Sequence, residues 1–250
     1  MKHTTKIVLA LVALLAFSGI EKANAQFFLF WNGDYRLGFT AGVGHNFTAF
    51  DVSAPNGYSL SGDVSQSIVT PSVGLYWGME KELSRSTCFG FDGSIVYNYH
   101  SSSFMLKDMM GNRYDYSFCS HGITGKEGLY FAFDINRETQ FNIGAGFYER
   151  IMLGCKATET PSSSSAPQCT EGLWAKPGFS VGALVSTGLT YYINDIVFVK
   201  GNVEALIPIF SSSSMTKDWS SNISSGSGEL DVTPNTGFEL AISGCIGFRW

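Results

Sequence analysis

Between Phe238 and Trp250 the chain alternates without a change of phase. Phe238, Leu240, Ile242, Gly244, Ile246, Phe248 and Trp250 share one parity; Glu239, Ala241, Ser243, Cys245, Gly247 and Arg249 share the other. A two-residue period is the mark of a strand, because successive strand side chains leave opposite faces of the sheet. The period recurs upstream over 35–47, 69–80, 88–100, 129–134, 141–151, 179–192 and 197–207, giving eight stretches with one apolar and one small or polar face. In the first, Tyr35, Leu37, Phe39, Ala41 and Val43 oppose Arg36, Gly38, Thr40, Gly42 and Gly44. The fourth is the least regular, and its upstream part through Tyr116 is ambiguous.

The first residues stand apart. Lys2, His3 and Lys6 precede an apolar run from Ile7 to Ile20, and Ala23-Asn24-Ala25 follows as a small-x-small cleavage site. This layout predicts a signal peptide over 1–25 and an exported domain over 26–250. The run is shorter than the roughly 20 residues of a spanning helix. No cysteine follows the cut, so no lipid-anchored N-terminus is expected. Sixteen Lys and Arg stand against 21 Asp and Glu, and removing a lysine-rich leader deepens the acidic excess. A nucleic-acid partner, which needs a basic patch, is not expected. Of the five cysteines, Cys155 and Cys169 bracket a segment of loop composition, and a disulfide between them is expected. Cys88, Cys119 and Cys245 read as buried thiols.

Which face turns inward follows from composition. A soluble barrel turns a charge-rich face to water, yet only 15% of this chain is charged, and the polar parities are mainly Gly, Ser, Thr and Asn. Small residues suit a narrow lumen around a few large ones. Aromatics (Tyr35, Trp77, Tyr99, Phe179, Tyr191 and Trp250) gather toward the strand ends, as in the girdles at the two faces of a bilayer. Short connections (81–87, 135–139, 193–195) alternate with long ones (51–67, 101–122, 156–178, 211–235), which sorts turns to one rim and loops to the other. The loops carry serine tracts at 101–103, 162–165, 211–214 and 220–227, expected to be mobile and hydrated. Because a bilayer accepts strands only in a closed sheet, the fold class predicted is all-β, an eight-stranded antiparallel up-and-down transmembrane β-barrel.

Eight strands, a leader and a terminal apolar stripe ending in an aromatic resemble the small outer-membrane β-barrel family of Gram-negative bacteria, OmpA/OmpX type. The resemblance implies a place in the outer membrane and lipid as the surrounding partner. It also implies that the last strand is read by the barrel-assembly machinery, a role falling here on Phe238, Leu240, Ile242, Ile246, Phe248 and Trp250. Gly244 departs from the pattern as a gap in the stripe. No peptidoglycan-binding domain is expected after the barrel, so wall anchoring is not implied.

The charges on the polar parities sort by height. Arg36, Glu80, Asp92, Asp134, Lys200 and Arg249 fall toward the periplasmic end; Arg150, Glu204 and Glu239 lie higher. Isolated ions in a narrow lumen are costly, so opposite charges should pair and close it. No catalytic residues, metal ligands or cofactor are expected. His45, His100 and His121 are read as structural, with His45 and His100 at the outer rim meeting headgroups or water; a lipid A-modifying enzyme and a narrow channel are the alternatives. Tyr58, Phe104, Met105, Trp174 and Trp219 are large apolar residues in otherwise polar loops. They either anchor an extracellular ligand or pack on one another at the rim. A monomer is expected.

Overall fold

In the computed structural model the chain divides by contacts into Met1–Asp34 and Tyr35–Trp250. The structure describes residues 33–53, 58–60, 66–108, 113–161, 174–175, 178–212, 215–220, 227–235 and 238–250. Within these, only the backbone is described for 48–53, 58–60, 66–68, 101–108, 113–120, 154–161, 174–175, 212, 215–220 and 227–235. The leader expected over 1–25 lies outside the described residues. So does the bridge expected between Cys155 and Cys169, since Cys169 is undescribed and only the backbone of Cys155 is given.

Among the described residues every regular element is a strand. Eight long ones follow in order: β1 (Asp34–Ser53), β2 (Gln66–Ser84), β3 (Thr87–Asp108), β4 (Arg113–Asp134), β5 (Thr139–Pro161), β6 (Gly178–Tyr192), β7 (Val197–Ser212) and β8 (Glu239–Arg249). Each pairs with the next, and β8 pairs back on β1 from Arg36↔Arg249 to Asn46↔Glu239, closing the sheet without an edge. The last rung is made by the chain end: Tyr35 N donates to Trp250 O at 3.0 Å, Trp250 N donates to Tyr35 O at 3.1 Å, and the two rings stack at 6.5 Å. The turns at 135–138 and 193–196 have a local cause. The Asn136 side chain accepts from Glu138 N at 2.9 Å, and Asn194 accepts from Ile196 N and Val197 N at 2.9 and 2.7 Å. Each is an Asx arrangement that nucleates a reversal.

The barrel is inside out relative to a soluble one. Phe39, Ile242 and Phe248 are 68%, 64% and 57% exposed, whereas Arg36 and Lys200 are 2% exposed and Thr124 is fully buried. The eleven residues of β8, rising about 3.4 Å each at a tilt of about 40°, climb about 28 Å, which matches the apolar band of an outer-membrane barrel. An apolar exterior, a polar interior and a closed ladder make this an outer-membrane-type transmembrane β-barrel. Gly244 opposes Gly201 of β7 on that exterior, and a Cβ at either position would meet open space.

All four long-loop expectations are overturned in part: the loop expected over 51–67 loses 51–53, 58–60 and 66–67 to strand, and that expected over 156–178 loses 156–161 and 174–175. Residues 101–108 and 113–122 are strand, paired from Ser101↔Cys119 to Lys107↔Arg113, so β4 is one strand of 22 residues and its ambiguous upstream part belongs to it. The serines sit in a ladder whose alternation continues through Phe104, Leu106, Tyr114 and Tyr116, and ladder hydrogen bonds satisfy the backbone whatever the side chains. Likewise 211–235 contains Met215–Ser220 and Ser227–Asn235, paired with each other. Ser162–Ser165 lies outside the described residues. The two strands in 211–235, with Tyr58–Leu60 and Trp174–Ala175, carry the barrel wall upward. Trp174–Ala175 pairs with β5, and Met215–Ser220 pairs with Trp174–Ala175. Ser227–Asn235 pairs with β1, and Tyr58–Leu60 pairs with β3.

Candidate functional site in the barrel lumen

Alternate residues of all eight strands converge on the lumen, and glycines decide where the large ones fit. A Cβ at Gly90 would collide with the Tyr130 ring, one at Gly182 with the Tyr148 ring, and one at Gly44 with the Glu239 carboxylate. Each bulky lumenal group therefore lies across a glycine of another strand, which is the small-with-large packing a narrow barrel requires.

Four ion pairs are stacked in this space. Nearest the turns, Arg36 Nη2 lies 2.6 Å from Glu80 Oε1. Arg36 also donates to the Tyr130 hydroxyl at 3.2 Å and to the Tyr192 hydroxyl, and its guanidinium lies over the Tyr192 and Phe198 rings. Glu80 accepts in addition from Tyr130 at 3.0 Å and from Gln140 at 3.3 Å, while Tyr192 donates to Gln140 at 2.6 Å. Lys200 pairs with Asp92, its ammonium 5.2 and 4.8 Å from the centroids of Tyr76 and Tyr130. Higher, Lys126 pairs with Glu204, whose other oxygen accepts from Ser243 at 3.0 Å. Nearest the outer end, Arg150 Nη2 lies 2.9 Å from Glu239 Oε2, and Arg150 Nε donates to Thr124, which donates to Asn98 at 2.6 Å. Cations and anions of the described pairs balance one to one, so no pair leaves an uncompensated buried charge. A cavity of about 30 Å³ remains between Asp92, Lys126, Asn202 and Glu204, room for one or two water molecules.

The nine expected lumenal charges divide. Arg36, Glu80, Asp92, Arg150, Lys200, Glu204 and Glu239 are brought into these pairs. Asp134 is not: as the last residue of β4 it is exposed at the turn rim, where water solvates it. Arg249 is half-buried and caps the base, its guanidinium 4.2 Å from the Tyr192 ring centroid and its Nε donating to the Asp195 carbonyl at 2.8 Å. Sequence reasoning missed Lys126, the partner of Glu204. Its parity with Tyr130 and Ala132 was a usable signal, obscured by the irregular start read for the fourth stretch. Gln140 and Tyr192 were missed because both stand beside turns, where alternation is short.

The histidines also divide. His100, expected at the rim against headgroups or water, is buried in the lumen with Nδ1 3.1 Å from the Thr70 hydroxyl. It shares the phase of Asn98, and the wall continues above it, so headgroups cannot reach it. His45 packs edge-on to Phe47, which stacks on Phe238 at 4.7 Å. His121 bonds the Tyr97 hydroxyl on the exterior. Among the described residues no group of three or more His, Cys, Asp or Glu could hold a metal ion. Cys88 and Cys245 are free buried thiols, Cys88 lying 3.7 Å from Gln140 Nε2.

Of the residues expected as the assembly signal, Phe238, Leu240, Ile242, Ile246, Phe248 and Trp250 are all exposed on the barrel exterior, from 41% to 68%.

No protein-family model matches the chain, and no curated protein matches it. Among solved structures it is similar to the outer membrane protein OprG of Pseudomonas aeruginosa, with 12% identity, a TM-score of 0.44, and coverage of 87% of this chain and 96% of that one. It is also similar to Ail, the attachment invasion locus protein of Yersinia pestis, at 10% identity, a TM-score of 0.37, and 88% and 100% coverage. A third is Neisserial surface protein A, at 13% identity, a TM-score of 0.34, and 86% and 99% coverage. At these values the likeness gives no residue-by-residue correspondence, and the chemistry rests on the lumen geometry.

Proposed function

We propose that this chain is a monomeric, non-catalytic outer-membrane barrel whose lumen is closed by side chains and whose role, structural or in surface interaction, lies at its outer face. The observation that carries this reading is the stack of four mutually balanced ion pairs across the lumen, with a cavity of only about 30 Å³ beside the Lys126–Glu204 pair. An open aqueous path would leave the charges hydrated; here Arg36, Lys200 and Glu239 are at most 4% exposed. Reconstituted into planar bilayers, the protein should show no porin-range conductance, and large unitary steps would refute a closed lumen. Its partners are the surrounding outer-membrane lipid and, during biogenesis, the assembly machinery reading Phe238 to Trp250. The strands that continue past the bilayer supply the surface for an extracellular ligand. Removing 215–235 should reduce attachment of expressing cells to host matrix, and unchanged attachment would rule that segment out.

A further inference from the structure

The bilayer face of the barrel is interrupted by charge in one place. Among the described side chains, the outward parities of β1, β3, β6, β7 and β8 hold no Asp, Glu, Lys or Arg, and that of β2 holds Lys81 alone, close to its turn. On β4 and β5 the outward parity holds two carboxyls, Glu127 and Glu149. Their orientation follows from their neighbours, since Lys126 and Arg150 point into the lumen to Glu204 and Glu239. The two stand diagonally across one ladder: Glu127 opposes Phe147, and Glu149 opposes Gly125. A Cβ at Gly125 would lie 3.2 Å from Glu149 Cγ and from Oε1, so the Glu149 side chain lies across that glycine toward β4. Both carboxyls fall within the apolar surface. From Asp134 at the turn rim, β4 climbs about 18 Å to Glu127, against about 28 Å for the whole band. Exposed Phe131 and Leu129 precede Glu127 on this face and Ile123 stands above it, while exposed Leu153 stands above Glu149. Among the described residues no cation pairs with either carboxyl.

An ionisable group in the hydrocarbon region is costly, and where membrane proteins keep one it faces a partner of opposite charge rather than lipid. We propose that this face of β4 and β5 is a docking surface, inside the bilayer, for a membrane-spanning partner that presents a lysine or arginine at the same depth. Charge sets the chemistry of that partner, because one cation placed between the two carboxylates compensates both. The surface around them is low. Gly125 lies between the pair, Ala145 opposes Leu129 beside Glu127, and Ala183 opposes Phe147 on β6. Small residues let a second backbone approach closely, and polar groups then bond across the seam, as at other interfaces inside membranes. Depth argues against a lipid headgroup, since Ile123 and Leu153 separate the pair from the outer edge of the band. A second copy brings no matching cation among the described residues, because Lys81 lies near the turn rim, well below Glu127. The inference concerns the outside of the wall and holds whether or not the lumen conducts.

The test uses the full-length protein in phosphatidylcholine vesicles and a synthetic dansyl-labelled Leu-Ala transmembrane helix without tryptophan. The helix carries one lysine about seven residues from one end of its apolar stretch, which is the depth of Glu127. Energy transfer from the barrel tryptophans to the dansyl group reads association. The lysine helix should bind saturably and at least tenfold more tightly than the same helix with leucine at that position. The double variant Glu127→Gln, Glu149→Gln should remove this preference, and Lys81→Ala should leave it unchanged. Heat-modifiability on gels checks that each variant is folded; if the double variant is not, the two single Gln variants replace it. Equal binding of the lysine and leucine helices overturns the proposal, as does a lysine preference that survives in the Gln variants. Octadecylamine in the vesicles should not displace the lysine helix; full displacement would assign the surface to a lipid amine and overturn a protein partner. Barrel dimers that form in wild type and are lost in the Gln variants would assign it to a second copy, with the same consequence.

Discussion

Removing Glu80 alone should be among the most damaging single changes in the barrel. Its carboxylate accepts from Arg36 at 2.6 Å, from Tyr130 at 3.0 Å and from Gln140 at 3.3 Å, in a site where Arg36 is 2% exposed. Glu80→Ala leaves a desolvated guanidinium with only neutral acceptors, a loss expected to cost about 3–5 kcal/mol. The pair itself contributes far less than that, because both ions are desolvated to form it. Arg36→Met combined with Glu80→Leu should therefore recover at least about 2 kcal/mol relative to Glu80→Ala. The assay is urea unfolding in detergent micelles, read by the fraction of heat-modifiable folded barrel on gels, for wild type, Glu80→Ala and the double variant. A Glu80→Ala cost below about 1 kcal/mol, or a double variant as unstable as the single, would refute the argument that charge compensation holds the base of the lumen together.

Ile242→Arg places a cation on the lipid face and should destabilise by about 2–4 kcal/mol near the bilayer midplane; an unchanged urea midpoint would contradict a bilayer around that face. Gly74→Ala drives a Cβ into the Ile95 carbonyl and should lower stability, whereas Gly201→Ala meets open space and should be neutral or gain up to about 1 kcal/mol. Equal midpoints for the two would reject the packing asymmetry. Deleting Trp250 removes two backbone hydrogen bonds and the Tyr35 stack at the closing seam, so the yield of assembled barrel in the outer membrane should fall. Normal yield on heat-modifiability gels would exclude that residue from assembly.

The period of two was legible along the chain, and with it the eight strands and the small-residue lumen. This follows because parity is a local property of an extended backbone and needs no knowledge of what lies opposite. The low charge content then selected lipid over water for the apolar face. Even the failures were local: the serines at 101–103 read as loop because polarity was weighed over phase, though Phe104 and Leu106 kept the alternation going. What only the tertiary structure decided is pairing. Lys126 of β4 meets Glu204 of β7 across the lumen, and Arg150 of β5 meets Glu239 of β8. Which charge faces which depends on how far each strand slides past its neighbours when the sheet closes. The Arg36↔Arg249 to Asn46↔Glu239 register fixes that for the seam. Closure likewise makes Trp250 a rung of the wall, paired with Tyr35. A sheet can be predicted strand by strand, but the stagger of a closed barrel is a property of all its ladders together.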